Sequence, residues 1–347
     1  MDFRSDNVAG VAPQIMEAVI AANEGTATSY GGDDISARVE ARLCEMFERE
    51  VRAFPVATGT AANALSLAAM TPPYGAILCH EEAHIQLDEC GAPEMFTGGA
   101  KLVPLPGASG KLTPDAVRGV LETTLSGDPH RVQPAALSLT QATEAGTCYR
   151  ADEVGALAEV VRSRGMKVQM DGARFANAAA HLGLSPAEIT WRAGVDVLAF
   201  GATKNGALGA EVVVFFDTTL AETFALRRKR AGHLFSKMRF VSAQLEAYLA
   251  EDRWLAFARH ANAMAARIAQ GLQRLPRVKL LHAVEANEVF AALPLPVIAG
   301  LRKAGFDFSD WGDAGPGVVR LVLAFNTDPA HVDAFIQMAG RLAAEAA

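Results

Sequence analysis

The chain has 347 residues, of which 50% are hydrophobic and 20% are charged, and 32 basic against 39 acidic side chains give a formal net charge of −7. Such a chain is long enough to bury a large core without disulfides or a structural metal. Its acidic balance, without a long basic run, argues against a nucleic-acid or acidic-membrane partner, because both need clustered Lys and Arg.

The amino-terminal sequence, Met-Asp-Phe-Arg-Ser-Asp, has no apolar signal region, and no apolar stretch is long enough to cross a membrane. The four cysteines are far apart and include no Cys-x-x-Cys pair, so neither a zinc site nor a disulfide framework is indicated. These features predict a cytoplasmic protein with reduced, mostly buried thiols.

Short apolar runs alternate with longer amphipathic stretches through the first two thirds of the chain, a pattern typical of a sheet with helices on both faces. Strands are predicted at residues 53–57, 76–79, 101–105, 135–139, 167–170, 195–200 and 211–216. Helices are predicted between them at residues 61–69, 113–121 and 152–164. This succession predicts a mostly parallel sheet, which binds its ligands beyond the carboxyl ends of its strands.

The last third of the chain has a different pattern. Residues 218–274 form a long stretch with a helical pattern that is rich in Ala, Leu, Arg and Glu. Pro276 ends that pattern. A smaller α+β unit is predicted beyond it, with strands at 279–283, 288–293 and 318–323 and helices at 296–303 and 329–344. We therefore predict three parts, namely an N-terminal segment (1–25) that joins the small domain, a large domain (26–240), and a connecting helix with the small C-terminal domain (241–347).

An aspartate and a lysine follow two successive predicted strands. Asp171 lies in Met-Asp-Gly-Ala-Arg at 170–174, and Lys204 lies 33 residues later in Gly-Ala-Thr-Lys-Asn-Gly at 201–206. One crossover of a parallel sheet takes about 30 residues or more, so both can stand at the ends of neighbouring strands. The pair suits pyridoxal phosphate, since lysine forms a Schiff base with its aldehyde and the carboxylate keeps its pyridine nitrogen protonated. Taken singly, the aspartate is equally compatible with a surface turn, and a lysine in a loop of small residues is more often a solvated surface residue.

A phosphate-binding turn is predicted earlier in the chain, where Ala-Thr-Gly-Thr-Ala-Ala-Asn at 57–63 ends a strand and begins a helix. The backbone N–H groups at Gly59 and the hydroxyls of Thr58 and Thr60 are suitable donors at the positive end of a helix dipole. The dinucleotide-binding and P-loop motifs are not found in the sequence.

His84 follows the strand at 76–79, where an imidazole could stack on a planar cofactor and act as an acid or a base. A purely structural histidine is the alternative interpretation. The sequence His-Glu-Glu-Ala-His at 80–84 has a spacing known from zinc sites, but it directly follows a strand instead of lying on a helix. We therefore predict no metal site.

Seven features in a fixed order span about residues 2–325. They are Asp2-Phe3-Arg4-Ser5-Asp6-Asn7, Tyr30-Gly31-Gly32-Asp33-Asp34, Thr58-Gly59-Thr60-Ala61-Ala62-Asn63, His84, Met170-Asp171-Gly172-Ala173-Arg174, Thr203-Lys204 and Val319-Arg320-Leu321-Val322. Together they resemble the threonine aldolases, pyridoxal-phosphate enzymes of the aspartate-aminotransferase fold that are grouped with the β-eliminating lyases. The resemblance implies an α/β large domain with a mostly parallel seven-stranded sheet, a small α+β C-terminal domain, and a homodimer or homotetramer with shared active sites.

The resemblance also implies roles for individual residues. Lys204 resembles the Schiff-base lysine, Asp171 the partner of the pyridine nitrogen, and His84 the histidine that stacks on the cofactor. The residues that resemble phosphate binders are Gly59, Thr60 and Thr203, with Arg239 similar to an arginine that reaches the phosphate of a neighbouring subunit.

The groups that resemble binders of the substrate carboxylate are Ser5, Arg174 and Arg320, a role suited to the forked guanidinium. By the same resemblance Arg174 also lies beside the cofactor. Many family members carry a Thr-His-Asn-Gly stretch where this chain has Thr-Gln-Ala-Thr-Glu-Ala-Gly-Thr at 140–147, a form that resembles a low-specificity branch. His84 and Glu144 are therefore the candidates for accepting the proton of the substrate hydroxyl.

The implied reaction is retro-aldol cleavage of a small amino acid, L-threonine, L-allo-threonine or a related β-hydroxy-α-amino acid, to glycine and an aldehyde. A β-eliminating lyase or an aminotransferase on the same fold is the first alternative, and its products would differ. A non-catalytic binding or regulatory protein of this fold is the second. The joint presence of Lys204, Asp171 and Arg174 favours an enzyme.

Overall fold

The apolar runs predicted as strands form one sheet that is buried on both faces. The computed structural model describes residues 1–312 and 315–345. The strands are β1 (Arg52–Val56), β2 (Gly75–His80), β3 (Lys101–Leu105), β4 (Gln133–Thr140), β5 (Lys167–Gly172), β6 (Val197–Gly201) and β7 (Glu211–Phe215). Their order is β1-β7-β6-β5-β4-β2-β3, in which β7 runs antiparallel to both its neighbours and the other pairs are parallel. The predicted mostly parallel, seven-stranded sheet is confirmed.

Thirteen helices are described along the chain. They are α1 (Pro13–Ala21), α2 (Asp34–Met46), α3 (Gly59–Met70), α4 (His84–Leu87), α5 (Ala92–Thr97), α6 (Pro114–Thr123), α7 (Ala151–Arg162), α8 (Phe175–Leu182), α9 (Phe224–Arg230), α10 (Arg239–Leu249), α11 (Arg253–Gln273), α12 (Leu295–Lys303) and α13 (Pro329–Glu345). Successive side chains of a strand point to opposite faces. In β6, Leu198 and Phe200 join the core under α7 and α8, and Val197 and Ala199 join the core under α3 and α9.

A second core lies around a four-stranded antiparallel sheet. Its strands are β8 (Lys279–Leu280), β9 (Glu288–Ala292), β10 (Ser309–Asp310) and β11 (Val318–Val322), in the order β10-β11-β9-β8. Helices α11, α12 and α13 pack against this sheet. The smaller α+β unit predicted for the last third of the chain is therefore present.

The N-terminal segment contacts both cores. Phe3 packs among Phe306 and Phe335 of the second core, with ring centroids 6.4 and 5.6 Å away. The backbone N–H of Val322 donates to the carbonyl of Phe3, which ties this segment to the end of β11. Ile15 of α1, by contrast, is buried in the core of the large sheet, in the part that lies under α7 and α8.

The long helical pattern predicted at 218–274 is divided into α9, α10 and α11. The breaks contain residues with positive φ, namely Gly232 (79°), Glu251 (55°) and Asp252 (51°), and a right-handed helix does not continue through that conformation. The strand predicted at 279–283 ends at Leu280, because β8 pairs with β9 over two residues only. The short elements α4, α5 and β10 have no predicted counterpart.

All four cysteines are unpaired. Cys79 and Cys148 are buried and Cys44 is partly buried, but Cys90 is exposed. Within residues 1–312 and 315–345, no helix is both long and apolar enough to cross a membrane.

Candidate active site

The parallel strands end at one edge of the large sheet, and the predicted site residues follow them there. His84 follows β2, Glu144 follows β4, Asp171 ends β5 and Lys204 follows β6. Strands β5 and β6 are neighbours, as the spacing of the aspartate and the lysine predicts. Because β7 runs the other way, its first residue, Glu211, reaches the same edge.

Asp171 is 4% exposed, and protein groups hold both its carboxylate oxygens. Its Oδ1 accepts a hydrogen bond from the backbone N–H of Ala173 (3.0 Å), and its Oδ2 accepts one from Nδ2 of Asn63 (2.8 Å). Asn63 is itself fixed by Nε2 of Gln169, which donates to its Oδ1 (3.0 Å). The carboxylate is thus pre-oriented for a partner at the strand edge.

His84 lies between two carboxyl groups. Its backbone N–H donates to Oε1 of Glu144 (2.8 Å), and its Nδ1 lies 2.9 Å from Oε1 of Glu89. The hydrogen bond with Glu89 is the main cause that raises the pKa of His84. Burial, with the charge of Asp171 adding to it, raises the pKa of Glu144 to about 7. Glu144 therefore exchanges its proton nearer to neutral pH than a glutamic acid usually does, and His84 keeps its proton to higher pH than usual.

The predicted phosphate turn forms the start of α3. Thr58 caps this 12-residue helix, its hydroxyl accepting a hydrogen bond from the N–H of Ala61 (3.2 Å). Within the described part of the chain, the backbone N–H groups of Gly59 and Thr60 have no hydrogen-bond acceptor. A Cβ added at Gly59 would meet nothing within 4 Å, so there is open space beside this residue. An anion can be bound there.

The loop that carries Lys204 is tied to the start of β7. The hydroxyl of Thr203 accepts a hydrogen bond from the N–H of Ala210 (3.1 Å), and Oε2 of Glu211 accepts one from the N–H of Ala202 (3.2 Å). A Cβ at Gly201 would lie 2.8 Å from the carbonyl oxygen of Ala173, so glycine is needed where β6 passes β5. The Lys204 amine forms no hydrogen bond or ion pair with any described residue and is available for chemistry.

Glu211 should make the stability of the cofactor-free chain depend on pH. Burial raises the pKa of Glu211 from 4.5 to about 7, which favours its neutral form in the native state. The neutral form therefore stabilises the native state fully below pH 4.5, and this stabilisation is lost as the pH rises to about 7 and beyond. The loss amounts to about 3 kcal/mol in the free energy of unfolding. In urea unfolding, Glu211→Gln should therefore gain stability relative to wild type between about pH 5 and pH 8. An unchanged difference between the two proteins would contradict this prediction.

Two partly buried arginines and two buried carboxylates form a cluster beside these residues. Arg174 donates from Nε and Nη2 to the two oxygens of Asp6 (2.8 and 3.1 Å), and its Nη1 lies 3.4 Å from Oε2 of Glu288. Arg320 contacts the other oxygen of Glu288 (3.9 Å) and donates to the carbonyl of Arg4 (3.3 Å). The Nε of Arg320 is buried and has no acceptor among the described residues. This N–H group can donate to a carboxylate ligand.

The three other predicted residues also have protein partners, and the hydroxyl of Ser5 donates to Oδ1 of Asp6 in the cluster itself (3.5 Å). The hydroxyl of Ser5 accepts from the N–H of Asn7 (3.1 Å) and caps a short 3₁₀ turn next to Asp6. The hydroxyl of Thr203 is bonded to Ala210, as described above. Arg239 begins α10, where it donates to the carbonyl of Gly25 (3.4 Å) and lies over the ring of Phe240.

Four residues of the site were not predicted to have a role, namely Asp6, Glu89, Glu211 and Glu288. Each carboxyl is buried, and burial raises the pKa of Glu89 and Glu288. Among the described residues, no group of three or more His, Cys, Asp or Glu side chains has the arrangement of a metal site.

Comparison with known proteins places this geometry in a family. The family described as "Beta-eliminating lyase" matches residues 2–294. The low-specificity L-threonine aldolase of Pseudomonas aeruginosa is 44% identical over 326 residues, which cover 94% of this chain and 93% of that protein. The structure of a threonine aldolase from Leishmania major superposes with a TM-score of 0.92 at 26% identity, covering 99% of both chains.

A more distant structure shares only the fold. An aspartate aminotransferase from Rhodobacter sphaeroides superposes with a TM-score of 0.70 at 18% identity, covering 99% of this chain and 93% of that one. The aspartate-aminotransferase fold implied by the sequence is thus confirmed, as is the family. The chain is a member of the β-eliminating lyase family and belongs, within it, with the low-specificity L-threonine aldolases.

Proposed function

We propose that this chain cleaves L-threonine, L-allo-threonine or a related β-hydroxy-α-amino acid to glycine and an aldehyde, with pyridoxal phosphate as cofactor. The observation that carries the proposal is the convergence of Lys204, Asp171 and His84 at one sheet edge, beside Arg174 and Arg320. The names of its relatives support the same activity.

The residues present fit the cofactor. Lys204 has a free amine for the Schiff base, Asp171 is a pre-oriented buried carboxylate for the pyridine nitrogen, and the unpaired N–H groups of Gly59 and Thr60 can bind the phosphate. His84, 38% exposed, can cover the ring. When bound, pyridoxal phosphate supplies an electron sink for the bonding pair released at the substrate Cα.

The remaining residues orient the substrate and move its proton. Arg320, assisted by Arg174, binds the substrate carboxylate, and this fixes which bond at Cα faces the electron sink. His84, Glu144 or a water molecule that they position accepts the proton of the β-hydroxyl. Because His84 donates its backbone N–H to Glu144, the two groups act at the same place.

Products decide between this reaction and the two alternatives on the same fold. Purified protein with pyridoxal phosphate and L-threonine should release glycine and acetaldehyde in equal amounts. A keto acid with ammonia would indicate elimination, and a keto acid with an aminated cofactor would indicate transamination. Absence of cofactor binding would instead revive a non-catalytic role.

We also propose a homodimer or homotetramer, in which Arg239 reaches the phosphate of a neighbouring subunit. Met95, Leu226 and Leu87 are large apolar side chains at the surface, 76%, 72% and 60% exposed, and are available to such an interface. The separate cores of the seven-stranded sheet and of the four-stranded sheet support the proposed division into a large and a small domain. The unpaired cysteines are compatible with the cytoplasm as its compartment.

A further inference from the structure

Glu89 is a buried carboxylate that the proposed reaction does not use. It lies between α4 and α5, and its side chain is fully buried. One oxygen, Oε1, accepts a hydrogen bond from Nδ2 of Asn63 (2.8 Å) and lies 2.9 Å from Nδ1 of His84. The other oxygen, Oε2, is buried without a hydrogen-bond partner among the described residues. A group held at such a desolvation cost calls for a specific role.

The hydrogen-bond directions around Glu89 are set by a chain of side chains. The Asp171 carboxylate can only accept, so the amide of Asn63 faces it with Nδ2, and its Oδ1 faces Nε2 of Gln169, whose Oε1 accepts from the hydroxyl of Ser138 (2.6 Å). The amide of Asn63 must then present its NH₂ group to both carboxylates, one N–H to Asp171 and one to Glu89. Oε1 of Glu89 is thereby an acceptor.

The same oxygen accepts from the imidazole. With Glu89 as a carboxylate, whose oxygens only accept, the hydrogen shared between Oε1 and the imidazole belongs to Nδ1 of His84. Within residues 1–312 and 315–345, Nε2 of His84 has no hydrogen-bond partner, and in the neutral ring this nitrogen carries the lone pair. It is therefore the nitrogen that can accept a proton.

We propose that Glu89 is a positioning residue for His84, holding the ring hydrogen on Nδ1 so that Nε2 is the proton acceptor on the substrate side. Through Asn63 the same carboxyl is linked to Asp171, so that one network orients both residues that would contact the cofactor. The catalytic consequence rests on the proposed function, but the position of the ring hydrogen does not.

The charges around His84 come from four elements. Glu89 follows α4, Glu144 follows β4, Asp171 ends β5 and Lys204 follows β6. Glu89 and Asp171 raise the pKa of His84, Lys204 lowers it, and Glu144 accepts its backbone N–H. Glu89 is the largest of these influences, so removing its charge should lower the pKa of His84.

The test is ¹⁵N nuclear magnetic resonance of the histidine rings in the full-length chain, with and without pyridoxal phosphate. The His84 signals are assigned by their loss in His84→Asn. In wild type we expect neutral His84 to carry its hydrogen on Nδ1. In Glu89→Leu, which has no acceptor, we expect the hydrogen on Nε2. Glu89→Gln, which retains an oxygen but loses the charge, should keep the Nδ1 hydrogen and lower the pKa of His84.

Kinetics complete the test. Glu89→Leu should lose about 10- to 100-fold in kcat with little change in KM, the range found when a partner that orients a ligating histidine is removed. Asp88→Asn, which removes an exposed carboxylate one residue away, should match wild type in both measurements.

Two results would overturn the proposal. One is a wild-type His84 with its hydrogen on Nε2, which needs no variant to fold. The other is a Glu89→Leu protein with the hydrogen moved and kcat unchanged. A failure of the proposed function can be told apart from these results. In that case the wild-type protein would release no glycine, while neutral His84 would still carry its hydrogen on Nδ1.

Discussion

Lys204→Ala should abolish turnover, with a loss of more than about 1,000-fold, as for other residues that act covalently. The reason is chemical, since this amine is the group proposed to bind the cofactor aldehyde. The fold should survive, because the amine makes no hydrogen bond or ion pair with any described residue. The measurement is the initial rate of glycine release, together with the visible absorbance band of the bound cofactor, which should also disappear.

The matched control for this variant is Lys303→Ala at the exposed end of α12, which should retain both the rate and the band. Circular dichroism would show whether each variant is folded. A Lys204→Ala protein with the wild-type band and rate would refute the assignment of this lysine.

Asp171→Asn should reduce kcat at least about 100-fold, the scale of losing one preorganised electrostatic partner in a buried site. Asp171 is 4% exposed and its position is fixed by Asn63 and Ala173, so the substitution keeps the shape and removes the negative charge. Without that charge, a protonated pyridine nitrogen has no buried counter-ion. Steady-state kinetics with saturating cofactor would measure the effect.

Asp115→Asn provides the control, since that carboxylate is exposed on α6 and pairs with Arg118 at the surface. It should leave kcat unchanged. An Asp171→Asn enzyme with wild-type kcat and wild-type affinity for pyridoxal phosphate would show that the carboxylate does not act on the cofactor.

The large sheet was predictable because each of its strands is a short apolar run that can be recognised from the local sequence alone. The placement of Asp171 and Lys204 at the ends of neighbouring strands was predictable for a related reason, since it follows from the length of one crossover. The break between α10 and α11 was not predictable. The residues with positive φ there are Glu251 and Asp252, and neither is a glycine of the kind that typically ends a helix.

Four carboxylates of the site, Asp6, Glu89, Glu211 and Glu288, could not be found from the sequence. Asp6 pairs with Arg174 across 168 positions, and no local pattern indicates which distant residues meet. Glu288 begins an apolar strand and Glu211 another, where a single acidic residue is indistinguishable from a strand-end surface group. Glu89 lies five residues after His84, a spacing that gains meaning only once the fold of α4 is known.

The most direct test of the account is to identify the lysine that binds the cofactor. Wild-type protein loaded with pyridoxal phosphate would be reduced with borohydride, digested, and analysed by mass spectrometry. We expect the added pyridoxyl mass on the peptide that contains Lys204, and its loss when L-threonine is present during reduction. Modification of a different lysine, or of none, would contradict the proposed site.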